Sequence, residues 1–209
     1  MTTPTDPIAT ETALPNFEAK LHGFWQKNRN AVFAVCAVAL LAVAGRGGWQ
    51  LFTAQREKGI AADYVAATTP EKLHDFAHEH QGSPLAGVAH LRLADDEYAA
   101  GNYADATVDY TQASTALAGT PFAGRAQLGA AIAKIQAGRA ADGEAQLKEV
   151  ANDLTLLKAV RAEAAYDLAS AAADEGRADD AKKFAAQVQQ IDPEGPWAMR
   201  ATDLAAKQP

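Results

Sequence analysis

Hydrophobic positions along the chain follow two regimes. From Ala31 to Gly45, fifteen consecutive residues carry no polar side chain, and after Arg46 a second apolar piece runs from Gly47 to Phe52. Beyond residue 52 there is no convincing alternating strand pattern, and helix signals recur instead. Thr69-Pro70, Ser83-Pro84 and Thr120-Pro121 all read as helix starts. In each, the hydroxyl can accept an orphan backbone N–H, and proline at the first helical position gives up no bond. Gly101, Gly138 and Gly176 each close an alanine-rich run and read as helix stops. The pattern predicts an all-α chain, with one N-terminal transmembrane helix followed by a solenoid of helical hairpins.

A membrane-crossing helix needs about 20 predominantly apolar residues. Ala31 to Phe52 supplies 22, with Ala31, Val32, Phe33, Cys36, Leu40 and Leu41 in its apolar body and Trp49 and Phe52 near its far end. Arg46 lies close enough to that end for its long side chain to reach the headgroups. Lys20, Lys27 and Arg29 precede the span, and few positive charges follow it closely. The positive-inside rule then puts the N-terminus in the cytoplasm and the rest of the chain on the far side of the membrane. A cleaved signal peptide is the competing reading, with an Ala42-x-Ala44 site before Gly45. Thirty residues ahead of the apolar run, Asp6, Glu11 and Glu18 among them, argue against it. The expected divisions are a disordered, basic cytoplasmic tail over 1–30, an anchor over 31–52 and a periplasmic domain over 53–209. Residues 1–16, rich in Thr and Pro, are the part of the tail expected to lack structure.

The three stop glycines sit in matching contexts, "EYAAGNYADA", "KIQAGRAADG" and "AADEGRADDA", at spacings of 37 and 38 residues. A fixed period of this size marks stacked helix pairs. Two, five and nine residues past each glycine stand Tyr103, Ala106 and Tyr110, then Ala140, Gly143 and Leu147, then Ala178, Ala181 and Ala185. The small middle residue allows a close helix crossing. The last one fills the space between hairpins, with Phe184 assisting Ala185. Leu93, Ala94, Tyr103, Ala106, Tyr110, Gly138, Leu147, Gly176 and Ala181 are therefore the expected packing residues. The helix–turn–helix unit, the small–x–aromatic–x–x–Ala spacing from Gly101 to Ala106, and Pro193 after the last expected helix resemble tetratricopeptide (TPR) repeats. The period exceeds the usual 34, and Glu97 stands where a Tyr is expected, with Tyr98 beside it.

A second resemblance covers more of the chain. The anchor and a helical linker are followed by Phe76, Ala77 and Glu79, then Ala89, Leu91, Leu93 and Ala94, then a turn and Ala104 and Ala106. From about residue 17 onward this order is similar to the YfgM-type ancillary subunits of the SecYEG translocon. That resemblance implies a periplasmic TPR-like domain held beside the translocon. Its implied partners are translocon subunits, envelope chaperones and exported chains, with membrane lipid around the anchor.

Composition narrows the function classes. Residues 1–52 hold four Lys/Arg and three Asp/Glu, net +1, while residues 53–209 hold fifteen and twenty-three, net −8. An acidic domain is a poor partner for nucleic acid. The only cysteine, Cys36, lies in the apolar stretch, so the remainder has no thiol to misoxidise, which fits an oxidising compartment. No phosphate-binding loop and no nucleophile elbow is present. Asp95-Asp96 and Asp179-Asp180 read as solvated charges, since a catalytic dyad needs a cleft. "LHDFAHEH" puts His74 and His78 on one helix face, a spacing that can chelate zinc or copper. Four ligands are the rule for a structural site and no second cluster is visible, so the two histidines read as a solvated helix end. No catalytic residue, metal, cofactor or small-molecule substrate is expected. Tyr98, Tyr103 and Tyr110 invite a peptide-binding reading, although Tyr103 and Tyr110 also occupy packing positions. The function expected is a non-enzymatic, membrane-anchored scaffold or chaperone-like subunit at the export translocon. The alternative is a TPR adaptor in another envelope complex, for cell-wall or outer-membrane assembly.

Overall fold

The longest helix follows from composition. From Pro15 the sequence runs through alanine, leucine and other helix formers without an internal proline, and helix α1 continues unbroken to Ala66. It ends because Pro70 pushes the chain out of the helical region and starts a new helix. This is seen in a computed structural model that describes residues 15–208, with side chains from residue 20 onward. The disordered tail expected over residues 1–16 therefore lies almost wholly outside the described residues. Residues 15–30, assigned to the tail from the sequence, are helical. No helix boundary falls at 52/53, because residues 53–66 are themselves good helix formers. The chain divides into two compact units, Met1–Glu57 and Lys58–Pro209.

In the first unit the apolar segment is unburied. Ala31, Phe33, Cys36, Leu40, Leu41, Trp49 and Phe52 are exposed and Val32 is half-buried. Among the described residues this is one helix long and apolar enough to cross a membrane, with mean hydropathy 1.9 and none of its apolar window buried.

The second unit contains helices α2 (Pro70–Glu79), α3 (Pro84–Ala99), α4 (Tyr103–Ala116), α5 (Ala123–Gln136), α6 (Ala140–Asn152), α7 (Lys158–Asp174), α8 (Ala178–Ile191) and α9 (Pro196–Ala206). Three hairpins, α3–α4, α5–α6 and α7–α8, turn at the three glycines. Gly101, Gly138 and Gly176 have φ of 83°, 80° and 74°, the left-handed region that only glycine enters cheaply. All three turns are built alike. The glycine N–H donates to the carbonyl three residues back: Tyr98, Ile135 and Ala173. The next N–H donates five residues back: Asn102 to Glu97, Arg139 to Lys134, Arg177 to Ala172. These are Schellman caps, and they satisfy carbonyls that the helix end would otherwise leave open.

Two of the three expected helix starts are capped as the sequence suggests. Thr69 Oγ1 accepts from Lys72 N–H at 3.4 Å, and Ser83 Oγ from Ala86 N–H at 3.1 Å. The third is displaced. Thr120 donates its hydroxyl back to the Leu117 carbonyl at 2.7 Å, and α5 begins at Ala123. Nor does Pro193 follow the last helix. A further helix, α9, starts at Gly195-Pro196 and lays Ala198 and Ala201 against the end of the repeat array. Trp197 packs on Tyr166 with ring centroids 5.1 Å apart.

The core is a row of small clusters along the array, built largely from alanine. Leu93, Ala94, Ala106, Tyr110, Leu147 and Ala181 are buried, as are Phe184 and Ala185. Tyr103 is half-buried, with its ring edge-on to Tyr98 at 5.2 Å. A Cβ on Gly143 would come within 2.6 Å of the Ala131 carbonyl oxygen, so the α5–α6 crossing requires glycine there. Fourteen residues before each turn glycine stand Gly87, Gly124 and Ala162, all buried. Gly87 abuts Leu117, and Gly124 abuts Leu156 and Val160, where each first helix meets the following connection.

Candidate functional site

The first helices of the hairpins contact one another, α3 with α5 and α5 with α7. Among the described residues the backbones of α4 and α6, and of α6 and α8, do not come so close, and α6 meets α8 through side chains such as Gln187 Nε2, which donates to Asn152 Oδ1 at 3.3 Å. The first helices therefore lie on the inside of the array's curvature. Two clefts open along this inner side and meet at Ile132 of α5. One, of about 420 Å³, lies between α3, α5 and α7. The other, of about 270 Å³, lies between α5 and α7.

The floor is apolar and the walls are acidic. Leu128, Ile132 and Ile135 come from α5, while Asp95, Glu163, Asp167 and Asp174 come from α3 and α7. At the α3 end the charges are matched. Tyr110 Oη donates to Asp95 Oδ1 at 2.5 Å, and Arg125 Nη2 donates to the same carboxylate at 3.1 and 3.3 Å. Burial holds the Tyr110 phenol above its ordinary value, and the bond to Asp95 adds to this. Toward α7 the match fails. Burial raises the Glu163 carboxyl, against the attraction of Arg125 and Arg200. Asp167 Oδ2 is out of solvent and has no hydrogen-bond partner. Its carboxyl is pushed up to about 7, first by burial and then by the charge of Glu163. A carboxylate oxygen held out of solvent without a partner carries a desolvation cost that a cationic or hydrogen-bonding guest would offset.

Of the tyrosines singled out by sequence, Tyr98 and Tyr110 line the first cleft, and Tyr103 reaches it only through Tyr98. Asp95, expected to be a solvated charge, instead pairs with Tyr110 and Arg125, and Glu163 and Asp167 were not singled out. Asp95 lies on α3 and Glu163 and Asp167 on α7, and their convergence depends on how the hairpins stack. The histidine cluster falls elsewhere. His74 and His78 line a third cleft, of about 600 Å³, between α2, α3 and α4, with His90 in its wall. His80 pairs with Asp63 at 3.3 Å.

Residues 22–117 match the model of a tetratricopeptide repeat-like domain family. The match thus takes in the apolar helix, α2 and the first hairpin. No curated protein matches the sequence significantly. Among solved structures, the chain is similar to a crystal structure of nearly identical TPR-like repeats named for a Podosopora anserina kinesin light chain. The similarity has a TM-score of 0.53 at 20% identity and covers 66% of this chain and 74% of that one. At that identity the likeness concerns the fold alone. The chain is an all-helical protein with a TPR-like repeat fold, preceded by one apolar helix long enough to span a membrane.

Proposed function

We propose that this chain is a non-enzymatic, membrane-anchored scaffold whose groove holds short segments of partner proteins. The carrying observation is the groove itself, apolar along α5 and acidic along α7, with the unpartnered Oδ2 of Asp167 inside it. Such a surface suits a segment that combines aliphatic with Lys or Arg side chains. Concave solenoid faces bind extended or helical segments in this way. The net −8 of residues 53–209 attracts basic segments and discourages anionic headgroups. The apolar helix serves as an uncleaved anchor, with the N-terminus cytoplasmic and the repeat domain periplasmic. Confinement to the membrane raises the domain's effective concentration near membrane-embedded partners. The likeness of the anchor-and-repeat order to translocon ancillary subunits supports a place beside the export translocon, with exported chains and envelope chaperones as contacts.

Photo-cross-linking from position 132 of the full-length protein in native membranes tests this reading. The protein should resist carbonate extraction, and external protease should reach the repeat domain. Cross-links should form to translocon subunits or exported chains and weaken in Asp167→Asn. A soluble mature chain beginning at Gly45 would overturn the anchor. Cross-links to cell-wall or outer-membrane assembly proteins would move the scaffold to that machinery.

A further inference from the structure

We propose that His74, Glu97 and Asp109 bind a divalent transition-metal ion of the zinc type, which staples α2 to the α3–α4 hairpin. The three residues come from α2, α3 and α4, and one ligand atom from each lies within 4.8 Å of the other two. They are 23 and 12 residues apart in sequence, so no linear motif joins them. Bonds of about 2.0–2.1 Å place tetrahedral donors about 3.4 Å apart, so the side chains must close by about an ångström on the ion.

Two features separate this cluster from ordinary surface charge. Asp109 is buried, at 4% exposure, with its Oδ1 against His90 Nδ1. Glu97 Oε2 is also out of solvent and has no hydrogen-bond partner. Two carboxylates held together in a partly dry site need either a shared proton or a cation between them. The His74 imidazole decides the class of cation. Nitrogen ligation suits zinc, nickel or copper, whereas magnesium and calcium prefer oxygen alone.

The surroundings also resemble a ligand site. His90 Nδ1 and Asp109 Oδ1 are 2.6 Å apart, an outer contact that fixes the carboxylate's orientation. The 600 Å³ cleft beside the cluster is lined by His74, one of the three residues, and by His90. His78, the partner suggested by i,i+4 spacing, lines the same cleft but is not in the three-residue cluster.

The test uses the full-length protein in mild detergent, stripped with a chelator and titrated with Zn²⁺. One ion should bind per chain and raise the melting temperature. His74→Ala and Glu97→Gln should each lose that site and the thermal shift while keeping the helical circular-dichroism signal. His78→Ala should keep both. Absence of stoichiometric zinc uptake by the wild type would overturn the proposal, leaving a shared proton between the carboxylates. So would wild-type binding in His74→Ala or Glu97→Gln, or loss of the site in His78→Ala. Because His74 is exposed, His74→Ala decides the matter should Glu97→Gln unfold.

Discussion

The ring of Tyr110 on α4 lies against the backbone of Gly129 on α5, so closely that a Cβ at Gly129 would sit 2.5 Å from Tyr110 Cε1. The ring is held there by its hydroxyl, which donates to Asp95. One side chain thus joins the first hairpin to the second and sets their separation.

Gly129→Ala should therefore destabilise the repeat domain by about 1–3 kcal/mol, despite the better helix propensity of alanine. Tyr110→Leu should remove most of that penalty. A double-mutant cycle by urea unfolding measures the coupling. Additive effects would show that the two residues do not set the spacing.

The turn glycines act through the backbone alone, since nothing lies within 4 Å of a Cβ built at Gly101, Gly138 or Gly176. Gly138→Ala should cost about 1–2 kcal/mol, the strain of a left-handed alanine. Gly138→Asn should cost less, because asparagine tolerates that region. Thermal melts of the two variants give the comparison, and equal losses would point to lost packing instead.

Stability should also depend on pH through Asp167. Its ordinary value is 3.8, and the folded domain raises it to about 7. Between those values the folded state binds more protons than the unfolded state, so this contribution is full below about pH 4 and fades as pH rises through 7. Asp167→Asn should remove it. Relative to wild type, the variant should gain stability between pH 5 and pH 8. Parallel melting curves across that range would place the carboxyl in water.

The parts of this fold visible in the sequence were those encoded locally. Gly101, Gly138 and Gly176 announced their turns because a left-handed cap needs glycine whatever surrounds it. Thr69 and Ser83 announced their helices because a cap bond spans three residues. Thr120 carried the same signal, but its hydroxyl accepts from Phe122 N–H, two residues on, while donating to the Leu117 carbonyl, and α5 starts at Ala123. The small residues Gly87, Gly124 and Ala162 keep the same distance from their turn glycines, a regularity hidden among so many alanines. The groove acids and the Glu97–Asp109 pair are set by the stacking of one helix on another. His74 lies beside residues 23 and 35 positions away, and a helical i,i+4 rule could only pair it with His78.

From α2 to α9, every helix packs on its chain neighbour, and among the described residues no contact joins helices more than two apart. Such short-range connectivity costs little loop-closure entropy and favours rapid folding. It also allows vectorial assembly. Each hairpin can dock on the one before it while the later ones are still unmade, so a chain delivered from its N-terminus has a folded surface to grow on at every stage. The last exposed end is then closed by α9, which arrives after everything it covers.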